Sequence, residues 1–270
     1  MSSAILDHPG IAESVSRRQL DIIRMSAIRQ LKARYRGTFL GVLWSFANPI
    51  LMTVLYTVLF GTAFKAYYGG SFVRYLFSVF VAVVVVTFFS QGTAEALTAV
   101  VSNGGLLNKI AIDSETFPIA AIAANAFQQA ITTFPLIVIL AAVITHDPWR
   151  VILAPIVLAS LLALVAGFGL ALSALFVFFR DLSYLWGVVS FIFWMTSPVF
   201  YPAALVPERV RPWFEINPVG LSIAAIREVT LQQGPIDVML ITKCVFSSLL
   251  ILFVGHSIFR ATRKHFMDLL

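Results

Sequence analysis

Six stretches of this chain carry no Asp, Glu, Lys or Arg: residues 37–64, 75–94, 116–146, 151–179, 182–207 and 244–259. Bilayer hydrocarbon is about 30 Å thick and an α-helix rises about 1.5 Å per residue. Roughly 20 apolar residues therefore cross it with every backbone N–H and C=O bonded inside the helix. A chain built this way folds as an all-α membrane protein. Function narrows to transport, signalling, anchoring or intramembrane chemistry.

Charged residues make up 12% of the chain and the hydrophobic set 59%, with a mean hydropathy of +0.90. Soluble domains are about one quarter charged, so no sizeable water-soluble domain is expected. The net charge of +6 does not indicate nucleic acid, because seven of the 19 Lys and Arg (Arg17, Arg18, Arg24, Arg29, Lys32, Arg34, Arg36) lie just before the first apolar run. A cluster there marks retention on the cytoplasmic side. The single cysteine, Cys244, leaves no intrachain disulfide and no cysteine metal cluster. The first apolar run begins only after Arg36 and is too long for a signal h-region, so no cleaved leader is expected.

Val15, Leu20, Ile23, Ala27, Leu31 and Tyr35 recur at mostly three- and four-residue steps among those cations. This pattern predicts a basic amphipathic helix along the cytoplasmic interface, either a simple anchor or a lever on a cytoplasmic partner. Six spans follow, at residues 41–64, 75–91, 118–145, 151–179, 183–201 and 238–259. Lys243 interrupts the last one, near enough to the helix end to snorkel. The expected division is a cytoplasmic segment 1–40, a membrane domain 41–259 and a cytoplasmic tail 260–270. Both termini then face the cytoplasm. That side collects the seven N-terminal cations with Lys109, Arg180, Arg260, Arg263 and Lys264.

Two connections are long. Residues 92–117 hold Asn103-Gly104-Gly105, then Leu106, Leu107 and Ile110 beside Lys109, which predicts a turn and a short amphipathic helix that could dock a partner. Residues 202–237 hold five prolines, among them Pro202, Pro207, Pro212 and Pro218. Within them Asn217-Pro218 has the form of an N-cap followed by proline at the first helical position, and the apolar stretch to Leu231 ends before Gly234. A helix of that length is too short to cross, so an external re-entrant hairpin is expected, with Arg227 and Glu228 near its end.

Ala159, Ala163, Gly167 and Ala171 fall four residues apart in the fourth span and predict close helix packing. Gly167-Phe168-Gly169 lies within that hydrophobic helix and is no dinucleotide loop. Aromatic residues sit inside spans: Trp44, Phe46, Tyr56 and Phe60 in the first, and Trp186, Phe191, Phe193, Trp194, Phe200 and Tyr201 in or at the end of the fifth. They either face lipid and core or line a pore whose rings pack against sugar C–H faces. Asn125, Gln128, Gln129, Thr132 and Thr133 in the third span predict interhelical hydrogen bonds, or a conduit wall. Arg180 and Asp181 predict a structural ion pair at a helix boundary. His8, His146, His256 and His265 are dispersed and no HExxH exists, so no catalytic or metal site is expected. The GxxxxGK[ST] phosphate loop is absent as well, so the chain does not hydrolyse ATP by itself.

The segment RYRGTFLGVLWSFANPIL at 34–51 resembles the entry to the first span in ABC transporter permeases of the type-2 exporter group, those for polysaccharides and polyol phosphates. The matching positions are Arg34, Arg36, Leu40, Gly41, Trp44 and Pro49. Asn103 to Lys109, Phe179-Arg180-Asp181-Leu182, Ser197-Pro198 and Asn217-Pro218 fit in order, so the resemblance covers nearly the whole chain. It implies a homodimer around a channel, with two copies of a separate cytoplasmic subunit that binds ATP and Mg. It implies no cofactor in this chain itself. Asn103, Leu106, Leu107 and Lys109 would then dock the ATPase, and Asn217, Pro218, Arg227 and Glu228 would belong to an external gate. The aromatics of the first and fifth spans would line the path, and Arg29, Lys32, Arg34 and Arg36 would meet a lipid pyrophosphate. The implied cargo is a lipid-linked polysaccharide, O-antigen first, with capsular polymer or teichoic acid as alternatives. A membrane-embedded glycan-modifying enzyme is the alternative from another class.

Overall fold

The computed structural model describes residues 21, 23–29, 32, 37, 43–107 and 113–268. Gly41, Arg34, Arg36 and Lys109 lie outside these residues, as does most of the N-terminal segment. Every regular element among the described residues is helical. α1 spans Leu43–Phe64, α2 Phe72–Ser102, α3 Gly104–Leu107, α4 Thr116–Ile131 and α5 Phe134–Thr145. α6 follows at Pro148–Phe178, α7 at Leu182–Thr196, α8 at Arg211–Ile216, α9 at Pro218–Leu231 and α10 at Val238–Thr262. Ahead of α1, residues 23–29 are helical and expose Met25 and Ile28 beside Arg24 and Arg29.

Four helices among the described residues are long and apolar enough to cross a bilayer, and α4 with α5 makes a fifth if that pair, bent by 41°, is one span. This is a multi-pass membrane protein. The expected fifth span stops short of Tyr201: α7 has 15 residues, about 22 Å of rise, because Ser197 precedes Pro198 and turns extended (φ −87°, ψ 139°). The second span runs the other way, reaching Ser102 instead of ending near Gln91. No proline interrupts α2, and Gly92 fits where a Cβ would lie 2.6 Å from Val165 Cγ1 on α6.

Proline explains the break between α4 and α5. Pro135 has no N–H to give the Ile131 carbonyl, so the ladder stops there. Thr132 Oγ1 donates to the Gln128 carbonyl at 2.9 Å, and the Thr132 and Thr133 hydroxyls contact Gln129 Oε1 at 3.4 and 3.3 Å. Thr132, Thr133 and Gln129, expected to bridge helices, thus serve the break itself. Asn125 is buried too, and neither of its amide atoms has a partner among the described residues.

α6 is the hub. It packs on α10, α2, α9, α5 and α4. A Cβ on Gly167 would lie 2.6 Å from the Ile251 backbone of α10, and one on Gly255 would collide with the Gly167 carbonyl. On another face a Cβ on Gly169 would lie 2.8 Å from Ala96 Cβ of α2. Helices in lipid approach this closely only where a side chain is missing. Of the predicted stripe, Gly167 holds the contact, while Ala159 is exposed. α9 is enclosed by α6, α2, α5 and α10, with Val219, Ile223, Ala225, Ile226 and Val229 fully buried. α1 is peripheral: it packs chiefly on α2 and leaves Leu51, Val54, Leu55, Val58 and Leu59 exposed.

Gly255→Leu and Gly167→Leu are each expected to force α6 from α10 and remove about 1–3 kcal/mol or more of stability, the usual cost of overpacking. Thermal unfolding in detergent reads this as a lowered midpoint. Gly105→Ala, where a Cβ meets nothing within 4 Å, is expected to leave the midpoint unchanged.

Candidate functional site

On the edge formed by α1, α2 and α7 the chain leaves an open groove of about 370 Å³. α1 supplies Asn48, Met52 and Tyr56; α2 supplies Val83, Val86, Thr87, Ser90 and Gln91; α7 supplies Ser190, Phe191 and Trp194. No lining residue is charged. Phe191 and Trp194 meet edge-on at 6.0 Å, and Tyr56 stacks on Phe200 at 5.4 Å. Phe60 continues that stack, 5.3 Å from Phe200 and 6.0 Å from Phe64. Rings beside hydroxyls and amides, without a fixed charge, suit a polyhydroxylated chain that must bind weakly and keep moving.

The sequence-predicted aromatics divide. Tyr56, Phe191 and Trp194 line the groove, and Phe60 flanks it. Trp44 is exposed at the start of α1 and Phe46 is half-buried beside it, both outside the lining. Tyr201 leans on Phe200 at 5.4 Å and donates its hydroxyl to the Met195 carbonyl at 3.0 Å, also outside. Trp186 and Phe193 belong to the core, clustered with Phe89 and Phe168 at centroid separations of 5.3 to 6.3 Å. The Trp186 Nε1–H donates to Thr93 Oγ1 at 3.0 Å, so the indole is both buried and satisfied. The reason is helical phase: positions 186 and 193 are two turns apart on the inner face of α7, while 191 and 194 sit on the groove face. Asn48, Thr87, Ser90, Gln91 and Ser190 went unnoticed in the sequence. The signal for three of them was present, since Thr87, Ser90 and Gln91 recur at helical spacing just after a valine run.

At one end of the bundle α9 is fastened at both termini. Asn217 caps it, its Oδ1 accepting from the Val219 and Gly220 N–H groups at 2.9 and 3.2 Å. Its Nδ2 donates to Thr196 Oγ1 and Ser197 Oγ, both at 3.0 Å, which ties the end of α7 to the start of α9. Arg227 donates to the Ser78 and Val199 carbonyls, each at 3.0 Å. Arg150, 1% exposed at the start of α6, donates to the Glu228 carbonyl, to Glu228 Oε1 at 3.2 Å and to the Gly234 carbonyl at 3.0 Å. Arg227 and Glu228, which the resemblance implies belong to an external gate, are half-buried, and each side chain ties α9 to another element. α8 before them exposes Trp213 and Ile216.

Residues 23–231 match the family described as ABC-2 type transporter. The chain belongs to that family. It is 26% identical over 243 residues, 89% of this chain and 92% of the relative, to "O-antigen export system permease protein RfbA" of Myxococcus xanthus. Two proteins of the same name from Klebsiella pneumoniae are 22% and 21% identical over 255 residues, covering 93% of this chain and 95% of each relative.

At the other end of this ABC-2 chain the predicted docking turn forms, but inward. Asn103 Nδ2 donates to the Ala99 carbonyl at 2.8 Å, closing α2, and its Oδ1 accepts from Arg29 at 3.4 Å. Leu107 is buried with Val100, Phe117, Leu170 and Phe259. Gly105 is exposed at the tip, and the side chain of Leu106 lies outside the described residues. Lys32 is helical and exposed. His256 pairs with Glu115 at 2.7 Å, linking α10 to the approach of α4. Arg180 and Asp181 form no ion pair among the described residues; the Arg180 guanidinium stands 5.7 Å over the Phe176 ring. Asp181 starts α7 through its carbonyl, which accepts from the Tyr184 and Leu185 N–H groups. Exposed charges gain little from each other in water, so the arginine stem settles on the ring instead. No group of three or more His, Cys, Asp or Glu among the described residues could hold a metal.

Asn217→Ala removes the cap and both ties to α7, and is expected to lower stability by about 1–2 kcal/mol. Asn217→Asp keeps the acceptor for the helix amides but loses the donors to Thr196 and Ser197. Its unfolding midpoint in detergent is expected between those of Asn217→Ala and the parent.

Proposed function

We propose that this chain is the channel-forming subunit of an ATP-driven exporter that moves lipid-linked O-antigen polysaccharide across the bacterial inner membrane. One observation carries the reading: an uncharged, ring-lined groove stands open on the α1–α2–α7 edge of a single copy. A second copy facing it would close the two grooves into one passage. The relatives named for O-antigen export support the cargo, and the family supports a transport role.

In this reading α7 together with 197–201 completes a sixth crossing, and both termini are cytoplasmic. Residues 1–40 lie along the inner interface, 41–259 form the membrane domain, and 260–270 form the tail. Two copies of a separate subunit bind ATP and Mg and press on the surface around Gly105 and Lys109. Arg29, Lys32, Arg34 and Arg36 form a basic rim that attracts the pyrophosphate of the lipid carrier, since paired phosphates gain from several cations at an interface. The polymer then advances along the rings, exchanging one C–H contact for the next without a deep minimum. Because α9 is fastened at both ends, opening on the outer side falls to the less buried 203–216 segment that precedes it.

Two experiments test this. Purification from detergent is expected to recover the chain with a nucleotide-binding subunit in a two-to-two ratio; a solitary chain, or one that alters a glycan lipid unaided, would refute the proposal. Trp194→Ala and Tyr56→Ala are expected to reduce surface O-antigen about two- to tenfold each, the effect of losing a ring contact of roughly 0.5–1.5 kcal/mol, with the dimer intact. Unchanged surface polymer counts against the ring-lined path. A surface loss confined to capsule or teichoic acid would reassign the cargo.

A further inference from the structure

Most cations at the end of the bundle that carries α8 and the start of α10 are met by the chain itself. Lys65 stands 5.3 Å over the Phe72 ring, and Arg74 donates to Gln233 at 3.2 Å. Arg150 and Arg227 are surrounded by oxygen acceptors. Among the described residues exposed Arg209 makes no hydrogen bond or ion pair either, but two other cations share a cavity: Arg211, which reaches the Val206 carbonyl at 3.5 Å, and Lys243, which makes no hydrogen bond or ion pair.

Both line one cavity of about 380 Å³ between α8, α9 and α10, and Val206, Phe214, Leu221 and Leu240 contribute apolar walls. Lys243 is five residues into α10, about 8 Å along the axis, on a helix long and apolar enough to cross the bilayer. An ammonium there is unfavourable unless it reaches the headgroups or meets an anion. Two of the nearby described carboxylates are engaged elsewhere. Asp237 accepts from the Leu240 N–H at 2.9 Å, and Glu228 is held by Arg150 and by the Asp237 N–H. Exposed Glu208 makes no ion pair with either cation among the described residues.

We propose that this cavity binds an anionic phospholipid of the adjoining leaflet, its phosphodiester paired with Arg211 and Lys243 and an acyl chain against the apolar walls. The walls select the source of the phosphate. A free phosphate could satisfy the cations but would leave Val206, Phe214, Leu221 and Leu240 facing empty space, whereas a lipid fills both parts. The bound lipid would brace α8 against α9 and α10. This inference does not depend on what the groove carries, and its test uses neither ATPase nor polymer.

The full chain is reconstituted in nanodiscs of phosphatidylcholine with or without phosphatidylglycerol, then extracted, and the retained lipid is read by native mass spectrometry. The parent is expected to retain phosphatidylglycerol over phosphatidylcholine, and K243Q/R211Q to lose that preference by about tenfold, as expected for losing charge-assisted contacts. R209Q, which removes an exposed cation outside the cavity lining, is expected to retain lipid like the parent. Ala224→Phe fills the cavity with its charges intact and is expected to reduce retention; this arm decides even if the double variant does not fold. Inorganic phosphate added alone is expected not to displace the lipid. Undiminished preference in K243Q/R211Q, equal loss in R209Q, or full retention in Ala224→Phe overturns the proposal. Displacement by inorganic phosphate would make this a free-anion site and overturn the lipid assignment.

Discussion

An apolar helix in hydrocarbon gains little by hiding from lipid, so the bundle rests on contacts that lipid cannot imitate. The first of these is the meeting of Gly167 and Gly255, where α6 and α10 touch backbone to backbone. Gly169 and Ala96 repeat the device on another face of α6, drawing in α2. Three long helices are thereby drawn close at the points where a side chain is missing. Everything that bears on function is placed relative to this block.

Polar ties supply what dispersion alone does not. Arg150 joins α6 to the end of α9 and the turn into α10, Arg227 joins α9 to α2 and to Val199, and Asn217 joins α9 to α7. Removed from water, such groups are costly when alone and strong when paired, which is why each finds several acceptors or donors. The outcome is a bundle with one anchored side and one open edge. α1 and α7 stand on that edge with limited packing, and the groove they form with α2 brings uncharged polar groups and rings onto one surface.

Much of the local structure was legible in the sequence. Charge-free runs located the long helices, and Asn217-Pro218 located the start of α9 to the residue, because a cap and a proline at the first helical position act through neighbouring backbone atoms only. Small residues marked α6 as a packing helix, though Gly167 rather than the whole stripe makes the contact. The polar residues of the third span were visible, but their use at the Pro135 break was not, since it depends on which carbonyl loses its partner in the folded helix pair. Trp186 and Trp194 show the limit most plainly. Eight residues apart on one short helix, they read alike, yet one is core and the other lines the groove.

The sequence by itself determined that the chain is helical, membrane-embedded and built on close helix contacts, and it carried the resemblance that the ABC-2 family match then bore out. Those properties follow from residue type and spacing, which act over a turn or two. Only the tertiary structure decided which face of α7 turns inward, that Arg227 and Glu228 hold α9 in place, that Leu107 is buried, and that Arg211 and Lys243 share a cavity. Each of these rests on residues far apart in the chain, where the relative rotation of two helices decides what touches, and no local pattern encodes that rotation.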